Sequence, residues 1–266
     1  MGDVVVFGNQ KGGVGKSTLS VLYAMWLADV HRQSVCFIDL DTQGNASKTL
    51  RSADSGLPAA SLFDTTHEAS AALPSLDASQ RISLVAASKR LADVELARPE
   101  AVIPAFKAAV HGLRDRFDAV VIDTPPALGL RMSAALIAGD RVVCPIELEE
   151  YSIDGVTDML KTVFGVRQRY NPGLELAGIV LNRFNAHSAR QKAAVQQLVA
   201  SYRDFVVPAR ISIRSAIPEA LAQGKAPWES SKSSAREASL EVKEAFAMLQ
   251  LRIRPQPVNN ASGVAA

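Results

Sequence analysis

No apolar run in this chain approaches the roughly 18 consecutive residues that a membrane-spanning helix requires. The N-terminus shows no basic stretch followed by a hydrophobic one, so no secretory signal is expected. Val6 stands where a myristoylation signal needs Ser or Thr, and a cytoplasmic location is expected. Cysteine is scarce: Cys36 and Cys144 each sit inside an apolar run, Val35-Cys36-Phe37-Ile38 and Val142-Val143-Cys144-Pro145. That excludes a disulfide-stapled fold and predicts buried, reduced strand thiols. Neither sign of charge is in large excess, the net being +2, but the spread is uneven. Residues 1–160 carry 14 Lys and Arg against 20 Asp and Glu, whereas residues 161–266 carry 15 against 7. A basic late surface suits a polyanionic partner, although an ordinary solvated face has the same composition.

What is present is a regular alternation of two patterns. Short, often continuous apolar runs predict strands at Val4–Gly8, Ser34–Asp39, Ile82–Ala86, Ala119–Asp123, Arg141–Ile146, Leu176–Leu181 and Phe205–Val207. Helical periodicity predicts helices at Lys16–Asp29, Pro99–Arg116, Arg131–Ala138, Ser152–Arg169, Ser188–Tyr202, Ala216–Gln223 and Ser234–Leu251. Residues 52–80, rich in Ala, Ser and Asp, are read as short helices and loops. The alternation predicts an α/β fold: a doubly wound, mostly parallel sheet with helices on both faces and ligands at the carboxyl ends of the strands. No linker divides the chain, so residues 1–254 are expected to form one domain, with 255–266 a fraying tail.

The most informative residues are Lys11-Gly12-Gly13-Val14-Gly15-Lys16-Ser17-Thr18, between the first strand and the first helix. Glycines let successive backbone N–H groups converge on a phosphate, and the helix start adds its positive dipole end. Lys16 can reach the β- and γ-phosphates and the Ser17 hydroxyl can ligate Mg²⁺. The strict P-loop pattern has glycine five residues before Gly15; this chain has Gln10 there, and a second lysine, Lys11, at the loop mouth. A second motif, Asp39-Leu40-Asp41-Thr42-Gln43-Gly44-Asn45, follows the second strand. Asp41 is the candidate for positioning and polarising an attacking water, with Asp39 supporting the metal's surroundings and the loop. A third, Val120-Val121-Ile122-Asp123-Thr124-Pro125-Pro126, ends an apolar strand in Asp123, which can accept from Mg²⁺-bound water and from Ser17. Taken singly, the last two could be ordinary strand-ending turns; in this order beside the P-loop they read as one site.

Together these motifs resemble the deviant Walker A ATPases of the ParA/MinD family. Thr42 replaces a proline usual in the family's second motif, which implies a slightly looser turn. The resemblance runs from Val4 to about Ala247 and is nearest to the short plasmid-partition ParA proteins, which lack an extra N-terminal helix-turn-helix domain. It implies ATP hydrolysis with Mg²⁺, an ATP-dependent homodimer in which Lys11 crosses to the partner's nucleotide, and nonspecific DNA binding. It also implies a ParB-like centromere-binding partner that stimulates hydrolysis, and association with the nucleoid. In the family an asparagine at a strand end, here Asn182, meets the adenine edge, and the next strand end, at Pro208, contacts the base from the other side. Asn182 as a simple turn residue fits the sequence nearly as well. No N/T-K-x-D arrangement for guanine is present, so ATP is preferred over GTP.

DNA candidates are Arg183, Arg190, Lys192, Arg210, Arg214, Lys232, Arg236 and Lys243, with Arg214, Lys232, Arg236 and Lys243 the leading four. Lys232, Arg236 and Lys243 are spaced for one helical face, while Glu237, Glu241 and Glu244 interleave and offer intrahelical pairing instead. Arg214 could instead order the loop beside the nucleotide. The competing reading is a MinD-like membrane-cycling ATPase, for which Ala245–Arg254 would supply an amphipathic helix; the polar, proline-broken residues after it argue against that. A metabolic P-loop amidotransferase partner or a tyrosine kinase of this class is a third reading, the kinase disfavoured because no tyrosine follows Tyr202. A cluster bridged between subunits by Cys36 and Cys144, as in nitrogenase iron proteins, would need loop cysteines rather than strand ones.

Overall fold

The computed structural model describes residues 1–65, 76–149 and 152–254. The tail expected over 255–266 lies outside them. Eight strands form one parallel sheet: β1 (Asp3–Phe7), β2 (Val35–Asp39), β3 (Asp54–Pro58), β4 (Ile82–Ala86), β5 (Ala119–Asp123), β6 (Arg141–Glu147), β7 (Glu175–Phe184) and β8 (Val206–Ser212). Their spatial order is β3-β4-β2-β5-β1-β6-β7-β8, and every pairing is parallel. The helices are α1 (Lys16–Val30), α2 (Asn45–Thr49), α3 (Leu91–Val94), α4 (Pro99–Arg114), α5 (Leu130–Ala138), α6 (Ser152–Arg169), α7 (Ala189–Tyr202), α8 (Ala216–Ala222) and α9 (Ser233–Ile253).

Because successive strand residues face opposite ways, each central strand feeds two cores. Val4, Val6, Cys36, Ile38, Val120 and Ile122 pack with α4, α5 and α6 on one face. Val5, Phe7, Val35, Phe37 and Val121 pack with α1, α8 and α9 on the other. Coverage of both faces is why these strands read as continuous apolar runs. Helix α1 is buried along Leu19–Ala28 because α9 lies over it: Tyr23 meets the Phe246 ring at 5.2 Å and its hydroxyl donates to Gln250 Oε1 at 2.6 Å. Cys36 and Cys144 are free and buried, as expected, and burial pushes both thiols up to about 12.

Two differences from the sequence reading concern the sheet's ends. β3 falls in the stretch expected to hold only short helices and loops. It carries Gly56 at φ +77° and its pairing shifts register between Asp54 and Pro58. β8 runs to Ser212, five residues beyond the expected end, through Pro208 and Arg210; an edge strand tolerates a residue without an N–H.

Register sets the functional edge. β1 and β5 align Phe7 with Asp123, and β2 and β5 align Asp39 with Asp123. Three adjacent strands therefore end on one transverse row, and the three sequence motifs leave the sheet side by side.

Candidate active site

The loop after β1 is shaped by two glycines. Gly13 (φ +78°) and Gly15 (φ +89°) occupy left-handed backbone that other residues avoid. A Cβ on Gly15 would also lie 2.1 Å from the Asn182 amide nitrogen. Asn182, buried at the carboxyl end of β7, donates from Nδ2 to the Val14 carbonyl at 2.9 Å. Asn9 braces the other side of the loop: it donates to the Pro145 carbonyl at 2.7 Å and accepts the Lys11 amide at 2.9 Å. Gln10, standing where strict P-loops have glycine, donates to Thr162 Oγ1 on α6 at 2.9 Å.

Lys16 is buried and its Nζ donates to the Lys11 carbonyl at 2.9 Å. Burial lowers its pKa against the pull of Asp123 and Asp41. Lys11 projects outward at the loop mouth, where its Nζ meets Glu149 Oε2 at 2.8 Å.

Asp39 is saturated: Oδ1 accepts the Asp41 amide at 3.1 Å, and Oδ2 accepts the Ser47 amide at 2.8 Å and hydroxyl at 2.7 Å. It organises the second motif's loop. Asp41 is partly exposed beyond it, accepts the Gln43 amide at 3.0 Å, and acts electrostatically on Lys16 and Asp123.

Asp123 is the opposite case. It is fully buried, and neither carboxylate oxygen has a hydrogen bond of ordinary geometry. Burial, then the neighbouring Asp39, pushes its carboxyl up to about 8; nearby Ser17 and Lys16 offset this in part. A buried acid with both oxygens unsatisfied fits a site completed by a cation. Among the described residues no group of three or more His, Cys, Asp or Glu could cage a metal. Asp123 with the Ser17 hydroxyl nearby is a sparse oxygen donor set of the kind that suits Mg²⁺, which keeps its waters and binds through few protein groups and substrate phosphates. Thr124 Oγ1 donates to the Phe7 carbonyl at 2.8 Å, tying the third motif to the start of the P-loop.

Beside the loop lies a cavity of about 310 Å³ lined by Gly13, Gly15, Thr18, Asn182, Ile213 and Pro218, with Arg183 and Arg214 also on its wall. Of the residues expected to hold nucleotide, the structure brings together the P-loop and Asn182. Pro208 is elsewhere: it lines a separate cavity at the β8 edge with Lys192 and Arg210. The positions beside the P-loop fall to Ile213–Pro218, because β8 is longer than the apolar run that marked it.

The DNA candidates separate as well. Lys232, Arg236 and Lys243 surround one shallow cavity of about 460 Å³, with Lys243 lying over the Trp228 ring at 5.3 Å. Arg214 is not with them. Its guanidinium is engaged by Glu237 at 2.6 Å and Glu241 at 2.7 Å, which ties the residues beside the P-loop cavity to α9.

A phosphate-cradling loop, an unsatisfied aspartate one strand away and a second lysine at the mouth define a P-loop nucleoside triphosphatase. Residues 2–176 match the family model described as an AAA domain. IncC of Escherichia coli is 39% identical over 246 residues, covering 90% of this chain and 66% of that protein; a second IncC from that species is 34% identical over 234 residues, with 65% of it covered. The chain thus spans about two thirds of these relatives' length. Soj of Bacillus subtilis is 30% identical over 233 residues, covering 85% of this chain and 90% of Soj. The chromosome partitioning protein ParA of Myxococcus xanthus is 29% identical over 225 residues (80% and 77%). Among solved structures, a putative plasmid partition protein of Borrelia burgdorferi bound to AMPPNP superposes with a TM-score of 0.73 at 19% identity, over 96% of this chain and all of that one. The chain belongs to the ParA/MinD-type ATPase family, close to the plasmid partition proteins.

Sequence reasoning assigned no site role to Asn9, Ser47, Glu95, Arg131 or Glu149. Asn9 and Ser47 flank the first and second motifs in the chain, whereas Glu95, Arg131 and Glu149 are brought to the site by the fold.

Proposed function

We propose that the chain, as one ATPase unit over residues 1–254, is an ATP-dependent DNA partition (segregation) ATPase. The observation that carries the reading is the pair of unsatisfied Asp123 oxygens facing Lys16 and Ser17, with Lys11 at the loop mouth. Bound Mg²⁺ would supply positive charge at the β- and γ-phosphates. Ser17 would hold it directly and Asp123 through water, while Asp39 keeps the neighbouring loop in place. The glycine-rich backbone and Lys16 would cradle the phosphates, Asn182 would hold the loop from behind, and Ile213 and Pro218 would flank the base. Asp41 would orient the attacking water. Lys11 would exchange Glu149 for the nucleotide of a second copy, so that ATP closes a homodimer.

DNA binding is assigned to Lys232, Arg236 and Lys243, which share one surface, rather than to Arg214, whose charge is countered twice. Two such surfaces in a dimer would bind DNA without sequence preference. A ParB-like centromere-binding protein would stimulate hydrolysis and release, in a cytoplasmic, nucleoid-associated cycle. The chromosome partitioning role that the Myxococcus xanthus relative's name states supports the biological reading.

A membrane-cycling role would need the apolar face of Ala245–Arg254 to be available, whereas Ala245, Phe246, Leu249 and Ile253 are buried in the core. No helix among the described residues is long and apolar enough to cross a membrane.

The test is phosphate release from Mg-ATP together with binding to random-sequence DNA across a salt series, each with ATP and with ADP. DNA binding that requires ATP and follows a log–log salt slope of about −0.9 per neutralised phosphate is expected. ATP-dependent sedimentation with anionic vesicles and no DNA binding would overturn it.

A further inference from the structure

Leu40 lies between the two aspartates of the second motif, and the peptide unit joining it to Asp41 is held at both ends. The Asp41 amide donates to Asp39 Oδ1 at 3.1 Å. The Leu40 carbonyl accepts Nη1 of Arg131 at 2.8 Å. The Leu40 amide in turn donates to the Asp123 carbonyl at 3.0 Å. Arg131 is the second residue of α5, which begins directly after the third motif's loop, and its side chain is only 11% exposed.

The guanidinium is itself fixed. Its Nε donates to Glu95 Oε1 at 2.7 Å, and Glu95 Oε2 accepts the Leu130 amide at 2.7 Å. Glu95 therefore holds Arg131 and the start of α5 together. Gly129 lies so close that a Cβ on it would be 2.4 Å from Glu95 Oε2. Glu95 belongs to the segment after β4, which also reaches the helix that follows the second motif, the Ala87 amide donating to Ser47 Oγ at 2.9 Å. A planar fork with donors in fixed directions is needed to serve Glu95 and the Leu40 carbonyl at once; an ammonium on a flexible stem is not equivalent.

We propose that Arg131, held by Glu95, is a positioning residue that couples the loops after β2 and β5, so that the orientation of Asp41 depends on the first turn of α5. Movement of the Asp123–Gly129 loop on sensing phosphate then shifts α5, and the Leu40–Asp41 peptide plane follows. Without the guanidinium that plane is held at one end only, and Asp41 loses its aim. The inference rests on the ATPase reading for its kinetic consequence but not for its structural one.

The experiment compares wild type, Arg131→Met, Arg131→Lys and Asp41→Ala in the full chain. Arg131→Met keeps the stem's bulk and removes the fork. Its AMPPNP affinity should stay within about three-fold of wild type while turnover falls about 10–100-fold, the scale for a misplaced catalytic group. Lys should not restore turnover. Arg131→Met should add no further loss in the Asp41→Ala background, because Arg131 acts through Asp41. In the nucleotide-free protein, hydrogen exchange at the Asp41 amide should quicken at least about ten-fold, with β1 and α1 unchanged. Wild-type turnover in Arg131→Met, or losses that multiply with those of Asp41→Ala, would overturn the coupling. Should wild type prove not to hydrolyse ATP, the functional reading fails and the exchange measurement alone decides: unchanged exchange at Asp41 overturns the inference. If Arg131→Met does not fold, Glu95→Gln replaces it in both measurements, with the same direction expected and the same result overturning it.

Discussion

Removing the Asn182 side chain separates two roles for this residue, base recognition and support of the P-loop. In the structure its amide nitrogen is committed to the Val14 carbonyl at 2.9 Å and packs against Gly15. Asn182→Ala therefore strips a buried acceptor of its donor. A buried polar group left unsatisfied costs about 1–3 kcal/mol. The adjacent cavity of about 310 Å³ lets water reach the carbonyl in part, which favours the lower half, about 1–2 kcal/mol. For a chain of this size each kcal/mol lowers the melting temperature by about 2–4 °C, so a fall of about 2–8 °C is expected. Binding must then re-form the loop, so the same 1–2 kcal/mol appears as a loss of about 5–30-fold in affinity. In the proposed site the loop would hold phosphate and not base, so ADP and inorganic tripolyphosphate should lose affinity by the same factor. Thermal melts of the nucleotide-free protein and titration calorimetry with both ligands provide the check. An unchanged melting temperature, with affinity lost for ADP alone, would refute the reasoning and return Asn182 to the base.

Lys16→Ala should abolish nucleotide binding, whereas Lys11→Ala should leave some binding and abolish dimer closure and turnover; calorimetry and light scattering with AMPPNP separate the two. Asp41→Ala should bind ATP normally and slow hydrolysis by about 100-fold or more, the scale of a lost general base, leaving a dimer that persists in ATP on size exclusion. Glu241→Gln should lose its stability difference from wild type in acid. Burial alone would raise the Glu241 carboxyl, but the Arg214 fork and the Ser212 amide and hydroxyl outweigh it and hold it below its ordinary 4.5. A depressed folded value means that the stabilisation is complete above the unfolded value and is lost as pH falls through the folded one. Melts from pH 7 to pH 3 should therefore show wild type ahead at neutrality and the two curves converging as the pH falls below the ordinary carboxylate value and through the depressed folded one.

The central strands and the three motifs were legible because each is dictated locally. Strands buried on both faces must be apolar throughout, and a phosphate-cradling turn must place its glycines and lysine at fixed offsets. Pro208 and β3 were not legible for the complementary reason. An edge strand is asked for little, so Asp54-Ser55-Gly56-Leu57-Pro58 carries no alternation, and β8 continues through a proline that would end a central strand. Glu95 and Arg131 lie 36 positions apart in sequence, and only the packing of α5 against the segment after β4 makes them one unit. Arg214 was legible as a cation, but the cost of its charge is met by Glu237 and Glu241, which lie on α9.

The two ends of the sheet have a consequence for self-association. Among the described residues the parallel sheet ends at β3 on one side and at β8 on the other, and an edge strand is a template on which a foreign strand could be added. Both are spoiled. Gly56 and a shifted register interrupt β3, while β8 presents the exposed Pro208 beside Arg210, with its own register irregular against β7. A flat ribbon that could grow into a fibre is thereby denied at both margins. Copies of this chain that meet in solution are left to meet through loops and helices, whose contacts can be made and released, rather than through a continuing backbone lattice that cannot readily be undone.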